Sequence, residues 1–294
     1  MTRMVPVTAE GIAAAALRLK EGGLVALPTE TVYGLGADAT NDRAIAAVFA
    51  AKGRPSFNPL IVHFINAAAA EEEVVFSDAA RHLASVFWPG PLTMILPRKK
   101  ESCISLLCSA GLPTLAVRVP AHPAARDLLH SFGKPVAAPS ANASGALSPT
   151  TPQHVAESLK GADVMILTGG RANVGLESTV VDMTSLLPTV LRLGAVTPDD
   201  IKREIGDVAV ETEAVNDVPK SPGQLLKHYA PRTPLRLRAV DITPGEALLA
   251  FGSTRFMGIK GGGHVKDMPT GSCFNLSETG DLNEAAANLF AMLH

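Results

Sequence analysis

Two cations flank a glycine in "KGRPSFNPLIVHF" (Lys52 to Phe64), and a histidine, His63, follows inside an apolar run. Arg118 sits between Val117 and Val119 in "TLAVRVP", and Arg192 between Leu191 and Leu193 in "TVLRLG". All three apolar runs read as strands, so each ionisable group points away from its aliphatic neighbours. One such residue alone fits a solvated sheet face equally well. Three of them, in strands apolar enough to be central, point to the wall of an anion-holding cavity. A buried guanidinium needs an anion, because an unpaired buried charge costs several kcal/mol. From Arg43 to Ala70 there is no Asp or Glu, although Lys52, Arg54 and His63 lie in that interval. A ligand is therefore expected to bring the negative charge, and the planar fork of arginine suits carboxylate or phosphate.

Two loops bear on what that ligand is. "YGLGADA" has Gly34, Gly36 and Ala39 in the G-x-G-x-x-A spacing of dinucleotide loops. The acidic residue expected about 20 positions on is missing, which argues against a nicotinamide cofactor. No G-x-x-x-x-G-K-[ST] loop occurs either. "APSANASGALSPT" (Ala138 to Thr150) crowds Ser140, Asn142, Ser144 and Ser148 into a Gly/Pro loop after an apolar strand. Such a loop presents hydroxyls, an amide and free backbone N–H groups to a phosphate, although an ordinary polar loop has the same composition. No spacing suggests a protein-built metal site or a Ser-His-Asp or Cys-His pair.

The elements that must position these residues follow from capping and periodicity. Thr8 starts a helix that ends at Gly22-Gly23, with Ile12, Ala16 and Leu19 on one face. "LVALP" follows as a strand and "NDRAIAAVFAAKG" as a helix ending at Gly53. Strands are expected at "LIVHFI", "LTMILP", "TLAVRVP", "PVAAPSA", "VMILTGG", "STVVDMT" and "TVLRLG"; helices at "SDAARHLASVF", "AHPAARDLLHSFG" and "TPQHVAESLKG". The alternation is irregular, which favours a mixed sheet over a purely parallel one. This α/β unit spans residues 1–208; the proline-bounded stretch within 209–234 reads as a linker, and 235–294 as a small α/β unit.

The 294 residues are 47% hydrophobic and 18% charged, enough apolar material for a large core. A net charge of -2 argues against a surface coated with cations for nucleic acid. Cys103, Cys108 and Cys273 form neither a zinc spacing nor an even disulfide set, as in a reducing compartment. With no signal segment and no membrane-length apolar run, the sequence reads as cytoplasmic.

Six blocks, "PTETVYGLGADA", "KGRPSFNPLIVHF", "WPGPLTMIL", "AVRVPAHP", "PVAAPSANASG" and "ESTVVDMT", closely resemble the YrdC-type threonylcarbamoyl-AMP synthase family. Lys52/Arg54 and Ser140/Asn142 match its K-x-R…S-x-N signature, and "SPGQLLKHYAP" resembles the linker of its long, two-domain form. The resemblance implies a twisted mixed sheet with helices around a large cationic cavity, plus a small Rossmann-like C-terminal unit, which is short here for the long form. It implies an enzyme that condenses L-threonine, bicarbonate or CO2 and ATP, with Mg2+, to L-threonylcarbamoyladenylate and pyrophosphate. The product goes to a transferase complex that makes tRNA threonylcarbamoyladenosine. By position, L-threonine would meet Thr31, His63, Arg118, Ala138 and Ser178. ATP would meet Arg54, Asn58, Thr114, Ser140, Ser148, Arg192 and Tyr229, with Lys52 and Asn142 completing the signature around phosphates and bicarbonate. Two other readings compete: an enzyme forming a carbamoyl-adenylate, and an RNA-binding module without catalysis. The first expects Cys-rich zinc modules, which the sequence lacks; the second expects cations on an exposed face.

Overall fold

The computed structural model describes residues 2–211, 229–231, 233–239, 242, 245–253 and 273–294. Helix starts are set by side-chain caps. Thr8 accepts the Gly11 amide at the head of α1 (Ala9–Lys20), which buries Ile12, Ala16 and Leu19 as their spacing predicts. Asn41 caps α2 (Asp42–Lys52), and Gly53, at φ 58°, stops it in the left-handed conformation that glycine adopts without strain. That stop leaves Lys52 on the last helical turn and turns Arg54 into the following loop. A short α3 (Ala67–Glu71) precedes α4 (Asp78–Phe87), capped by Ser77. Proline opens α5 (Pro123–Phe132), α6 (Pro152–Ser158) and α7 (Pro198–Ile205), where its missing N–H costs nothing.

The strands are β1 (Arg3–Pro6), β2 (Leu24–Leu27), β3 (Gly34–Asp38), β4 (Ile61–His63), β5 (Leu92–Pro97) and β6 (Thr114–Arg118). After them come β7 (Val136–Ala137), β8 (Val164–Thr168), β9 (Thr179–Asp182), β10 (Thr189–Arg192) and β11 (Ala209–Val210). They form one mixed sheet in the order β1-β8-β2-β3-β7-β4-β6-β5-β9-β10-β11. Parallel pairs such as β4 with β6 alternate with antiparallel ones such as β5 with β6. The sheet reaches Val210, two residues into the span read as linker.

One core fills the face under α2, α4 and α7, with Ile45, Leu83, Met94, Val117 and Ile201 in it. A second joins α1 and α5 to the sheet through Leu19, Leu27, Leu128 and Leu167. A smaller cluster of Ile61, Ile95, Ala116, Val180 and Leu191 underlies the strand ends that carry the ionisable residues.

The structure differs from the sequence reading at "YGLGADA", which is the buried strand β3 and not a loop. Its glycines serve close packing: a Cβ on Gly36 would lie 2.8 Å from Leu27 Cδ2 and 2.9 Å from Val136 Cγ1. The short elements β1, α3 and β11 also carried no signal strong enough to read; α7 did, in the Thr197–Asp200 capping box with Pro198 at its first position, though the sequence reading omits it.

Most of the linker, residues 212–228, lies outside the described residues. Beyond it, β12 (Leu248–Ala250) pairs in parallel with β13 (Cys273–Asn275), and α8 (Leu282–Leu293) follows, capped by Asp281. Of "LRLRAVD", residues 235–239 form no strand, and Val240 and Asp241 lie outside the described residues. Among the described residues no helix is long and apolar enough to cross a membrane.

Candidate active site

Parallel pairing of β4 with β6 sets His63 directly opposite Arg118. Both leave the same sheet face, and both are buried, at 2% and 3% exposure, so neither is on a solvated surface. Arg118 is held on three sides. Its Nε donates to the Gly90 carbonyl at 3.2 Å, Nη1 to Thr31 Oγ1 at 3.1 Å and Nη2 to Glu30 Oε1 at 2.5 Å. Glu30 in turn accepts the Ala121 and His122 amides on Oε2, at 3.0 and 3.3 Å. Burial works to raise the Glu30 pKa, but the charge and hydrogen bond of Arg118 outweigh it, so the carboxyl lies below its usual range. His63 is pushed down to about 3, by burial first and by the Arg118 charge second. It is therefore a neutral imidazole, and its Nδ1 has no hydrogen-bond partner among the described residues.

The second cationic centre stands at the end of β10. Arg192 Nε donates to the Ser178 carbonyl and Nη2 to Ser178 Oγ, both at 2.9 Å, while Nη1 pairs with Glu177. Ser178 Oγ also lies 2.8 Å from Thr93 Oγ1. Glu177 accepts Ser148 Oγ at 2.7 Å and the Tyr229 hydroxyl at 2.9 Å. Burial first and Glu177 second push the Tyr229 phenol up, so it remains a donor.

Arg54 and Lys52 are held by backbone carbonyls. Arg54 donates from Nε to Asn58 O at 3.2 Å and from Nη2 to Pro59 O at 2.8 Å. Burial lowers its pKa to about 10, which leaves it charged. Lys52 Nζ reaches the carbonyls of Ser140 and Asn142, each at 2.5 Å, and the Lys52 carbonyl accepts the Ser144 amide at 2.8 Å. Asn142 spans its own loop, from Nδ2 to Ala143 O and Ala146 O at 2.9 and 2.8 Å. In this structure Lys52 and Asn142 thus shape the Ala138–Thr150 loop. Burial, with Arg54 second, lowers the Lys52 ammonium to about 7.

These groups converge. Thr31, Arg54, His63, Arg118, Ala138, Ser140, Ser178 and Arg192 share the wall of one cavity. Glu177 stands in the same wall. Asn58, Ser148 and Tyr229 stand one contact behind the wall, through Arg54 and Glu177. Thr114 begins β6, four residues from Arg118, and is not brought to the cavity.

Sequence reasoning missed the anions. Glu30 and Glu177 partner Arg118 and Arg192 from 88 and 15 positions away, whereas the stretch read for acids was Arg43 to Ala70. Their one sequence signal was position, between threonines in "PTET" and before Ser178 in "LEST".

A mixed α/β sheet that carries three guanidinium groups and a neutral imidazole into one buried pocket defines an α/β protein with a cationic cavity, whose charge Glu30 and Glu177 partly balance. Residues 18–194 match the family model Sua5_yciO_yrdC, described as "Telomere recombination", and residues 196–294 match Sua5_C, "Threonylcarbamoyl-AMP synthase, C-terminal domain". The chain belongs to the Sua5/YciO/YrdC family, in its long two-domain form. It is 45% identical over 229 residues to a threonylcarbamoyl-AMP synthase of Bacillus subtilis, covering 77% of this chain and 66% of that protein. With the synthase of Pyrococcus abyssi it shares 44% over 219 residues, 72% of this chain and 63% of the relative. The alignments thus span just under two thirds of the length of these relatives. A crystal structure of P. abyssi Sua5 complexed with L-threonine superposes with a TM-score of 0.83 at 33% identity, covering all of this chain and 88% of the other.

Proposed function

We propose that the chain is an L-threonylcarbamoyladenylate synthase. The observation that carries this reading is the Arg118 fork, fixed by Glu30, Thr31 and Gly90 beside a neutral His63. A guanidinium so braced keeps its remaining N–H groups for an amino-acid carboxylate. The relatives named as threonylcarbamoyl-AMP synthases, and the P. abyssi structure holding L-threonine, support the same assignment.

In this reading Thr31, His63, Arg118, Ala138 and Ser178 hold L-threonine. Arg54, Asn58, Ser140, Ser148, Arg192 and Tyr229 serve ATP, Thr114 standing outside the cavity, and Lys52 with Asn142 keeps the signature loop in place. The threonine amine adds to CO2, or to bicarbonate with loss of water, and gives up a proton to form an N-carboxylate. That carboxylate attacks the α-phosphorus, the bond to pyrophosphate breaks, and Arg54 and Arg192 neutralise the charge that develops. No side-chain nucleophile is required; positioning and positive charge carry the step. Neutral His63 can accept a hydrogen bond from the amine or the threonine hydroxyl without adding a fourth cation, and the amine proton leaves to solvent or with the water lost from bicarbonate.

Magnesium belongs to the proposal as the companion of ATP. Glu177 is committed to Arg192, Tyr229 and Ser148, and among the described residues no three His, Cys, Asp or Glu gather to hold an ion. That donor set does not fit a protein-built cage; the ion would keep its waters and ride on phosphate oxygens. The catalytic unit runs to Val210, where β11 closes its sheet; the following stretch to 234 is the linker that brings Tyr229 to Glu177, and 235–294 the C-terminal unit. The product passes, in the cytoplasm, to a transferase that modifies tRNA.

Pyrophosphate release from ATP, with and without L-threonine and bicarbonate, tests the proposal. Release that depends on both, and that drops at least about 100-fold in kcat/KM in Arg118→Ala, about 2.7 kcal/mol, is the expected outcome. Release indifferent to L-threonine sinks it.

A further inference from the structure

We infer that Glu177 is the built-in counter-charge of the nucleotide end of the cavity, and that a polyphosphate binds by taking Arg192 over from it. The inference rests on the proposal above that this end receives ATP.

Three residues given to the nucleotide converge on one carboxylate. Ser148 Oγ donates to Glu177 Oε1 at 2.7 Å, Tyr229 OH to Oε2 at 2.9 Å, and Arg192 Nη1 pairs with Oε2 as well. Glu177 is itself 8% exposed, inside the cavity wall. Its charge also favours the charged forms of Lys52 and Arg54 against their burial. One acid thus balances a cluster of three cations at this end. Glu30 is held differently, because two backbone amides, of Ala121 and His122, fix its carboxylate beside Arg118. The hydroxyl, phenol and guanidinium that meet Glu177 are side-chain donors, not backbone amides.

Position favours the exchange. Glu177 and Arg192 line the same cavity, so an anion entering it meets the guanidinium together with the carboxylate that holds it. Carboxylate and phosphate oxygens compete for the same guanidinium N–H groups, and phosphate brings more charge to them. Glu177 therefore lowers affinity for polyphosphate while it keeps buried cations from standing unpaired. The cost in affinity falls equally on the pyrophosphate product, whose release it assists.

The test is pyrophosphate binding by titration calorimetry on the full chain, wild type against Glu177→Gln. Glutamine keeps the size and one acceptor oxygen, removes the charge and turns the other oxygen into an N–H donor. The expected result is a Kd at least five-fold lower in the variant, with pyrophosphate raising its Tm by more than it raises that of wild type. A variant that folds only in pyrophosphate supports the same conclusion. Unchanged or weaker binding overturns it, as a purely structural role for Glu177 would require. A variant unfolded even in pyrophosphate also overturns it, since no anion then replaces the carboxylate. Wild type that binds neither pyrophosphate nor ATP removes the proposed function and this inference together; binding without a gain in the variant removes this inference alone.

Discussion

His63 shows how far one residue's chemistry follows from where the chain puts it. Its imidazole is shut away from water beside the Arg118 guanidinium, and its pKa drops from 6.5 to about 3. Between those values the unfolded chain binds a proton that the folded chain refuses. The corresponding stability is complete above about pH 6.5 and is lost progressively as pH falls toward 3. Replacing His63 with Gln removes this contribution while keeping a polar side chain. Thermal unfolding followed from pH 7 to 4.5 should show a smaller loss of Tm in His63→Gln than in wild type. Parallel profiles would mean that the ring takes up its proton without strain on the fold. At this scale the cations and the histidine were legible, because an ionisable residue in an apolar strand breaks the pattern around it. Their acids were not legible. Glu30 and Glu177 sit in short polar segments, and only strand register brings them to Arg118 and Arg192.

Among the elements, helices were the easier to read, since Thr8, Asn41, Ser77 and Gly53 mark their ends by side-chain chemistry alone. Strand β3 was hidden by the residues that let it pack closely, because glycine offers no alternation of apolar side chains. The turn after β10 extends that lesson to the site. A Cβ on Gly194 would lie 2.5 Å from both Glu177 O and Thr179 N, and 2.8 Å from Ser178 C. Every one of these neighbours is backbone, so the strain cannot be relieved by a side-chain rotation. Gly194→Ala must push the segment carrying Glu177 and Ser178 away from Arg192. Overpacking of this kind costs about 1–3 kcal/mol, and kcat/KM for ATP should fall by at least about ten-fold, 1.4 kcal/mol. Gly133 is the control: it has φ 77° and open space around it, so Gly133→Ala should cost about 1 kcal/mol of backbone strain and leave activity unchanged. Equal activity in both alanine variants would show that the site tolerates displacement of this turn.

Across the whole molecule, α8 packs behind the cavity, against residues that support its wall. Phe290 of α8 packs with Val32 and Leu147, and its ring lies 5.4 Å from that of Tyr229, tilted by 33°. Tyr229 is thus fixed at its hydroxyl by Glu177 and along its ring by a helix some sixty residues further on. Arg171 ties α8 down by donating to Ala287 O at 2.5 Å and Asn288 Oδ1 at 2.7 Å. Gly175 gives the Ala287 backbone room, since a Cβ there would lie 2.5 Å from its carbonyl oxygen. At the last turn the His294 ring stacks on His154, with centroids 3.9 Å apart. None of this was legible in the sequence, where Phe290 is one apolar residue of an amphipathic helix and nothing marks its partner. The physical consequence is a coupling between helix docking and nucleotide contact. Phe290→Ala removes a buried ring worth about 3–5 kcal/mol where a site cannot collapse, and here the loss falls first on the seating of α8. Amides of α8 should exchange with solvent faster in the variant, while those of β4 and β6 keep their protection. KM for ATP should rise by about ten-fold as Tyr229 loses its backing. KM for L-threonine, which the proposed function assigns to the Arg118–Glu30 pair, should change less than two-fold. A rise in both KM values together would mean that α8 supports the sheet as a whole instead of backing Tyr229.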